Sequence, residues 1–150
     1  MSVESSFEYV TVRIGEQRFG VPVTEIREVF SPHGVTSVPR APEEIAGLLN
    51  LRGRIVTAID ARRRLGLPPR PEGANCMALG MEHGTELFGI LVDEVGEVVR
   101  LDADTLEVVP AHLDSRWRAV LTGVHRLDNE LLAALDMKKL IAAGNAALAA

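Results

Sequence analysis

Cysteine is nearly absent from this sequence, since Cys76 is the single one among 150 residues. One thiol cannot close an internal disulfide, and it has no second thiol with which to share a zinc ion. The first residues lack the basic start and apolar core of a signal peptide, and no stretch approaches the roughly 18 apolar residues of a membrane span. These absences predict a protein of the reducing cytoplasm that does not insert into a membrane.

An excess of basic charge is absent as well. The 16 lysines and arginines are outnumbered by 21 acidic residues, which gives a net charge of -5. A protein with this charge and no long basic tract is poorly suited to nucleic-acid phosphates or to an anionic membrane surface. We therefore expect no nucleic-acid partner. One local basic cluster, residues 62–64 with Arg70, is typical of a solvated helix face, and contact with an acidic partner is the alternative.

Residue patterns typical of catalysis are also missing. No Gly-x-Ser-x-Gly elbow surrounds a serine, and no glycine loop ends in the Gly-Lys-Ser/Thr of a phosphate site. The four histidines lack metal-ligand spacing, so we expect them in loops or on the surface; they are His33, His83, His112 and His125. The sequence therefore predicts no metal site and no cofactor.

Two aspartates are the best catalytic candidates that remain. Asp60 and Asp93 each follow an apolar strand pattern, and two neighbouring carboxyl groups can share acid–base work. A small β-barrel enzyme is therefore one alternative. An aspartate at the end of a strand more often caps the following turn through its side chain. We favour the capping role for both residues.

What the sequence does contain is a series of about ten short strands with turns every 8–12 residues, which indicates an all-β barrel or a pair of barrels. Residues 7–14, for example, alternate large apolar with polar side chains. Residues 23–30 are expected to form a short helix or turn, and residues 43–46 and 61–65 a helical turn each. Asp136 is expected to cap a terminal helix over residues 137–142.

A loose internal repeat suggests two lobes. Residues 19–23, Phe-Gly-Val-Pro-Val, are similar to residues 88–92, Phe-Gly-Ile-Leu-Val, and each run precedes a segment that carries glutamates. A chain of 150 residues suits one domain or two small lobes that share a core. Trp117 is expected in that core or between the lobes.

Arg52 is the most informative single residue. It lies between Gly47 and Gly53 in an apolar stretch, residues 47–60, that ends at Asp60. Because its neighbours are apolar, we expect its head group to be partly shielded and to need an acid or carbonyl groups. A structural ion pair and a contact with a partner protein both remain open.

Residues 47–60 resemble the central motif of CheW-like domains, the chemotaxis coupling proteins. The runs 19–23 and 89–93 agree with the same family, and so do Ile26, Glu28, Val95 and Val98. The resemblance spans roughly residues 7–141 in the right order. It implies a single CheW-like domain over residues 7–143. From their composition and terminal position, the polar residues 1–6 are expected to be disordered and the alanine-rich residues 144–150 to form a flexible tail.

The resemblance implies a fold and a function. The fold is all-β, with two intertwined five-stranded SH3-like barrel lobes, short helices and a C-terminal helix. The function is that of an adaptor without catalysis, which joins the regulatory domain of the histidine kinase CheA to the cytoplasmic tip of chemoreceptors. An adaptor of a non-flagellar chemosensory array is the alternative. A chain of this length is expected to have no room for a fused receiver or kinase domain.

The resemblance also implies binding residues. A receptor groove between the lobes would be formed by Val23, Ile26, Gly89, Val95 and Val98, and it would accept a helix on an apolar surface. The kinase-facing surface would lie near Ile45 and Ala46. Glu28 and Arg52 match the acid and the arginine of the family, so we expect them to pair. Thr57-Ala58 and the run 62–64 depart from the family pattern, which bears on the choice of partner.

Overall fold

The computed structural model describes residues 6–36, 39, 45–71 and 73–141, and these form two β-sheets with a few short helices. Ser6, expected in the disordered N-terminus, instead begins the first strand and pairs with Asp102. The other residues of that segment, and the predicted tail over residues 144–150, lie outside the described part of the chain.

One sheet has six strands. All neighbouring strands are antiparallel except β2 and β11, which run parallel. The β1–β2 hairpin turns at Gly15, whose positive φ of 66° suits a residue without a Cβ. In spatial order the strands are β8 (Glu94–Asp102), β1 (Ser6–Ile14), β2 (Gln17–Pro22), β11 (Leu131–Leu135), β10 (Leu121–Arg126) and β9 (Leu106–Glu107).

The other sheet has five strands. Here β5 and β7 run parallel, and the other neighbours are antiparallel. In spatial order the strands are β3 (Glu28–Phe30), β6 (Met77–His83), β7 (Glu86–Val92), β5 (Arg54–Asp60) and β4 (Ile45–Leu51). The two sheets are the expected pair of β lobes, and the larger one exceeds five strands because the two-residue β9 is added at its edge.

The lobes are intertwined through a shared core. Phe19 and Val21 of the six-stranded sheet pack in one buried cluster with Ile59, Phe88 and Ile90 of the five-stranded sheet. Each sheet also covers a smaller cluster of its own. The chain passes from the five-stranded to the six-stranded sheet at Asp93, the single residue between β7 and β8. Neither sheet can bury its apolar face without the other, so the lobes form one folding unit.

Three short helices lie at the ends of strands, and each has an aspartate cap. Asp60 Oδ1 accepts the Arg62 N–H at 3.0 Å at the start of α1 (Ala61–Arg64). Asp114 caps α2 (Ser115–Arg118) in the same manner, and Asp136 caps a helix that the structure describes over residues 137–141. Of the three aspartate caps expected from the sequence, those of Asp60 and Asp136 are therefore confirmed. Asp93 was expected to cap the turn after its strand, and its carboxylate instead accepts the Gly15 N–H and groups of Arg62 and Arg70.

Trp117 occupies the core position that its size predicts. Its ring centroid lies 5.4 Å from that of Phe19, and its Nε1–H donates to the Leu65 carbonyl oxygen at 3.1 Å. The indole therefore packs against the shared core while its one polar group is satisfied.

One helical prediction was confirmed in part and another was wrong. Residues 23–30, expected as a short helix or turn, form a 3-10 turn over Val23–Glu25 followed by strand β3, so they do not share one helical face. Ile45 and Ala46, expected in a helical turn with residues 43–44, begin β4 instead, while residues 43–44 lie outside the described chain. A helix of one or two turns is marginally stable by itself, whereas both strands gain sheet hydrogen bonds and Ile45 is also buried.

The prediction for His125 was also wrong. Its side chain is completely buried within the six-stranded sheet. Nε2 lies 2.9 Å from the Tyr9 hydroxyl, and Nδ1 lies 2.9 Å from Oγ1 of Thr105. Burial lowers the pKa of His125 and raises the pKa of Tyr9 to about 12. The spacing of the histidines along the sequence could not reveal this network, because Tyr9 and His125 are 116 residues apart along the chain.

Candidate partner-binding site

The β4–β5 hairpin presents Arg52 at its tip. Arg52 (φ 53°) and Gly53 (φ 82°) are the two turn residues, and positive φ at both positions matches the twist of a tight hairpin. Asn50 Oδ1 accepts the Gly53 N–H at 2.9 Å and closes the turn. Nη1 of Arg52 then lies 3.0 Å from Oε1 of Glu28 on β3. The pair expected from the sequence is therefore present.

The environment of Arg52 differs from the expected one. Its side chain is 75% exposed and that of Glu28 is 31% exposed. Of the apolar neighbours of Arg52, Leu49 and Val56 are buried, whereas Ile55 is itself 66% exposed beside the hairpin tip. An exposed ion pair of this kind contributes between about 0 and 1 kcal/mol to folding. The expectation of a shielded guanidinium was wrong, and the group is accessible to a partner.

A recess of about 180 Å³ lies beside this pair. Phe30, Val56 and Leu87 contribute apolar surface to it. The facing glycines of β6 and β7, Gly80 and Gly89, leave room for the Phe30 ring, since a Cβ at Gly80 would lie 3.2 Å from Phe30 Cε1. The remaining lining residues include three exposed or partly exposed arginines and two glutamates: Arg27, Arg52, Arg54, Glu28 and Glu82. We call this feature the arginine-rimmed recess.

The valines expected in the receptor groove lie on the six-stranded sheet. Val98 is 56% exposed on β8, an edge strand, and Val95 is half-buried on the same strand. Val98 pairs with Val10 of β1, which pairs in turn with Val21 of β2. Val23 follows two residues later and is 36% exposed. Val98, in the middle of β8, and Val23, the residue after β2, are therefore both exposed apolar side chains of this lobe.

The other two residues expected in that groove are less accessible. Ile26 is half-buried and packs against the shared core. Gly89 is buried at the centre of the five-stranded sheet, paired with Ala58 and Gly80. A Cβ at Gly89 would lie 3.3 Å from Val56 and 3.5 Å from Phe30. Gly89 therefore packs inside its own sheet. Because it is buried there, the prediction that it contacts a receptor helix is corrected.

The predicted kinase-facing residues lie on β4, the edge strand of the five-stranded sheet. Ile45 is 6% exposed and belongs to the shared core, so its side chain is not free to contact a partner. Ala46 is half-buried. Thr36 covers part of the strand edge by exchanging two backbone hydrogen bonds with Leu48, at 2.7 and 2.8 Å. Side-chain contact through this strand is open to residues that are at least partly exposed, such as Ala46 and Asn50.

The aspartates considered for catalysis belong to a buried charge cluster. Arg62 donates to both carboxylate oxygens of Asp93, with Nη2 2.7 Å from Oδ2. Arg70 bridges the two acids, with Nε 2.7 Å from Asp93 Oδ1 and both terminal nitrogens 3.3 Å from the oxygens of Asp60. The arginine side chains are only 14% and 11% exposed. The prediction that this basic cluster is a solvated face was therefore wrong for Arg62 and Arg70. No local pattern indicates the pairing of Arg62 with Asp93, because the two lie 31 residues apart along the chain.

The cluster does not suit acid–base catalysis. Burial alone would raise the pKa of Asp93, but hydrogen bonds from Arg62 and Arg70 and from the Gly15 N–H lower that pKa to about 2. A general base works best with a pKa near the operating pH. Asp60 is similarly engaged by the Arg62 amide and by Arg70. These contacts leave the alternative of an enzyme based on the two aspartates without support.

The part of the chain that the structure describes lacks both a cluster of metal ligands and a membrane-spanning helix. Within those residues, no three or more His, Cys, Asp or Glu side chains group in a way that could hold a metal ion. Within the same residues, no helix has both the length and the apolar character needed to cross a bilayer.

Comparison with known proteins gives one consistent family. The CheW-like domain matches residues 8–144. The chain is 28% identical to the chemotaxis protein CheW of Klebsiella aerogenes over 141 residues, covering 94% of this chain and 85% of that protein. It is 28% identical to protein PilI of Pseudomonas aeruginosa over 122 residues, covering 81% and 68%. The solved structure of the scaffolding protein TtCheW from Thermoanaerobacter tengcongensis has a TM-score of 0.76 and 27% identity, covering 86% of this chain and 88% of that one.

Proposed function

The chain belongs to the CheW-like domain family, and on this basis we propose that it is a non-catalytic adaptor that couples chemoreceptors to the histidine kinase CheA in bacterial chemotaxis. The observation that carries the proposal is the similarity to a scaffolding protein in both sequence and fold over 86% of the chain. The proposed location is the cytoplasm, at receptor arrays that the adaptor reaches through its partners.

Two exposed surfaces are available for two partners. The first, which we call the receptor-facing surface, consists of Val23, Val95 and Val98 with Ile26 behind them. Its exposed valines suit the apolar face of the helical hairpin at the receptor tip. The second, the kinase-facing surface, consists of Ala46 on the edge of β4 and the Glu28–Arg52 pair at the hairpin tip. The part of the β4 edge that does not pair with Thr36 suits the edge-to-edge contact expected with the regulatory domain of the kinase.

The receptor-facing surface can be tested with two matched valine substitutions. Val98 is 56% exposed on one edge strand of the six-stranded sheet, and Val108 is 87% exposed just after β9 at the opposite edge. We expect Val98→Asp to weaken binding to a receptor cytoplasmic fragment about tenfold or more, because a carboxylate would be desolvated on docking. Val108→Asp should change that affinity less than about twofold. Calorimetric titration with the receptor fragment measures both.

The same experiment separates the surface assignment from the function. Binding of the kinase regulatory domain should be unchanged in both valine variants. A folded Val98→Asp protein with normal receptor affinity would remove β8 from the receptor-facing surface. Absence of binding by the unmodified chain to both the kinase and the receptor of its own array would instead contradict the adaptor function.

A non-flagellar chemosensory array is the second candidate. The chain is as similar to PilI of Pseudomonas aeruginosa as to the Klebsiella aerogenes protein, at 28% identity in both cases. This similarity favours keeping the non-flagellar array as an alternative function. Isolation of the kinase that co-purifies with this chain from its native cell distinguishes the two arrays, since each array has its own kinase.

A further inference from the structure

The buried charge cluster joins four separate parts of the chain. Asp93 is the crossover residue between the sheets, and Asp60 ends β5 and caps α1. Arg62 belongs to α1, and Arg70 comes from a segment without regular secondary structure. Oδ2 of Asp93 also accepts the Gly15 N–H at 2.8 Å, from the β1–β2 turn. The cluster therefore lies where the two sheets and the segment after α1 meet.

Residues 68–70 depend on this cluster for their position. Residues 66 and 67 are held by backbone bonds to α1, from the Gly66 N–H to Arg63 and from the Leu67 N–H to Arg62. Beyond them, the Pro68 carbonyl accepts Arg62 Nη1 at 3.0 Å, and the next attachment is the Arg70 guanidinium. Prolines at positions 68, 69 and 71 have no N–H to donate to a strand. Residues 68–70 are thus held by contacts of the Arg62 and Arg70 side chains and not by the backbone hydrogen bonds of a strand or helix.

Pro68, the first residue of this segment, lines a groove of about 550 Å³. Arg62 and Leu67 line the same groove, together with Trp117 and with Arg13 and Gly15 of the β1–β2 hairpin. The segment that Arg62 and Arg70 hold therefore reaches the groove that contains the indole.

We propose that Asp60, Arg62, Arg70 and Asp93 form a clasp that holds residues 68–70 against the crossover between the sheets. Loss of the Arg70 contacts releases residues 69 and 70, leaves Pro68 held at the groove beside Trp117 by its Arg62 contact alone, and makes the two carboxylates more accessible, while both sheets stay folded. Arg70 is the part of the clasp that opens, because it alone comes from a segment that no sheet or helix holds. Arg62 remains with Asp93 when the clasp opens and keeps the crossover paired.

The experiment uses the one tryptophan of the chain as its probe. Arg70→Gln removes the charge that bridges the carboxylates, and Arg100→Gln is the matched control, an arginine that is 60% exposed in a surface pair with Glu8. We expect acrylamide quenching of Trp117 fluorescence to increase about twofold or more in Arg70→Gln and to stay at the wild-type value in Arg100→Gln. Hydrogen exchange of β10 and β11 should be the same in all three proteins.

Two results would overturn the clasp. The first is an unchanged quenching constant in Arg70→Gln. The second is a rise in hydrogen exchange across β10 and β11 together with the quenching, because the cluster would then support the whole fold and not a releasable segment. Where Arg70→Gln does not fold, Arg70→Lys keeps the charge without the planar fork that reaches both acids. It should show quenching above the wild-type value, and wild-type quenching in that variant also contradicts the proposal.

Discussion

At the scale of single residues, charged side chains account for most differences between expectation and structure. Arg52, expected to be shielded, is exposed at a hairpin tip, whereas the side chains of Arg62 and Arg70, expected in a solvated cluster, are only 14% and 11% exposed. Neighbours along the chain do not determine the exposure of a long side chain, because its head group lies several ångströms from its own backbone. What determines it is which distant acids the fold brings within reach.

The role of Arg52 can be separated from that of its ion pair by a charge swap. We expect Arg52→Glu to weaken kinase binding, and the double change Glu28→Arg with Arg52→Glu to leave that binding weak. The reason is that an exposed pair contributes at most about 1 kcal/mol to folding, so the arginine charge itself is what a partner meets. Calorimetric titration with the kinase regulatory domain measures both variants. Recovery of binding in the double variant would show instead that the pair acts as a unit.

At the scale of elements, the β4–β5 hairpin explains why residues 47–60 carry such a distinct sequence. The second glycine, Gly53, provides the tight turn with its positive φ. The first, Gly47, lies inside β4, where a Cβ would stand only 2.2 Å from the Thr36 carbonyl oxygen. The same motif thus contains one glycine required by backbone conformation alone and another that is also required by close packing.

The two glycines of this hairpin should respond differently to alanine. Both have positive φ, at 151° for Gly47 and 82° for Gly53, but an added Cβ at Gly53 would have no other atom within 4 Å. We expect Gly53→Ala to lower the free energy of unfolding by ~1 kcal/mol through backbone strain. Gly47→Ala should lower it by ~3 kcal/mol, because a steric clash is added. Urea denaturation of both variants measures the difference, and equal losses would refute the close approach of Thr36 to β4.

At the scale of the whole molecule, the shared core and Asp93 make the two sheets dependent on each other. The carboxylate of Asp93 is 3% exposed and joins α1, the β1–β2 turn and the segment of Arg70. Its lowered pKa therefore links acid stability to the junction of the sheets. An ordinary aspartate has a pKa of 3.8, and in the folded protein that of Asp93 is about 2. The unfolded chain consequently binds more protons than the folded one between these values.

The free energy of unfolding should therefore fall as the pH falls through the acid range. The stabilisation from Asp93 is fully present above about pH 4 and is lost as the pH falls through about 2, a difference of ~2 kcal/mol in the free energy of unfolding. Urea denaturation from pH 5 to pH 2 should show this loss in the wild type. In Asp93→Asn the loss should be smaller by that amount, although the variant starts from a lower stability. Parallel curves for the two proteins would contradict the assignment of the low pKa to Asp93.

By itself, the sequence determined the fold class, the two lobes, the family and the pairing of Glu28 with Arg52. Short-range alternation and turn residues encode strands locally, and the order of motifs along nearly the whole chain identifies the family. It could not determine that Gly89 faces the interior of its own sheet or that Ile45 starts a buried strand, because both depend on which strands become neighbours.

Only the tertiary structure decided the charge cluster and the buried His125–Tyr9–Thr105 network. Asp93 is 31 residues from Arg62 and 78 residues from Gly15 along the chain, and His125 is 116 residues from Tyr9. Such contacts form because a buried charge or imidazole must find a partner wherever the packed sheets supply one. Local sequence contains the groups that need partners, and the packing of distant strands chooses the partners.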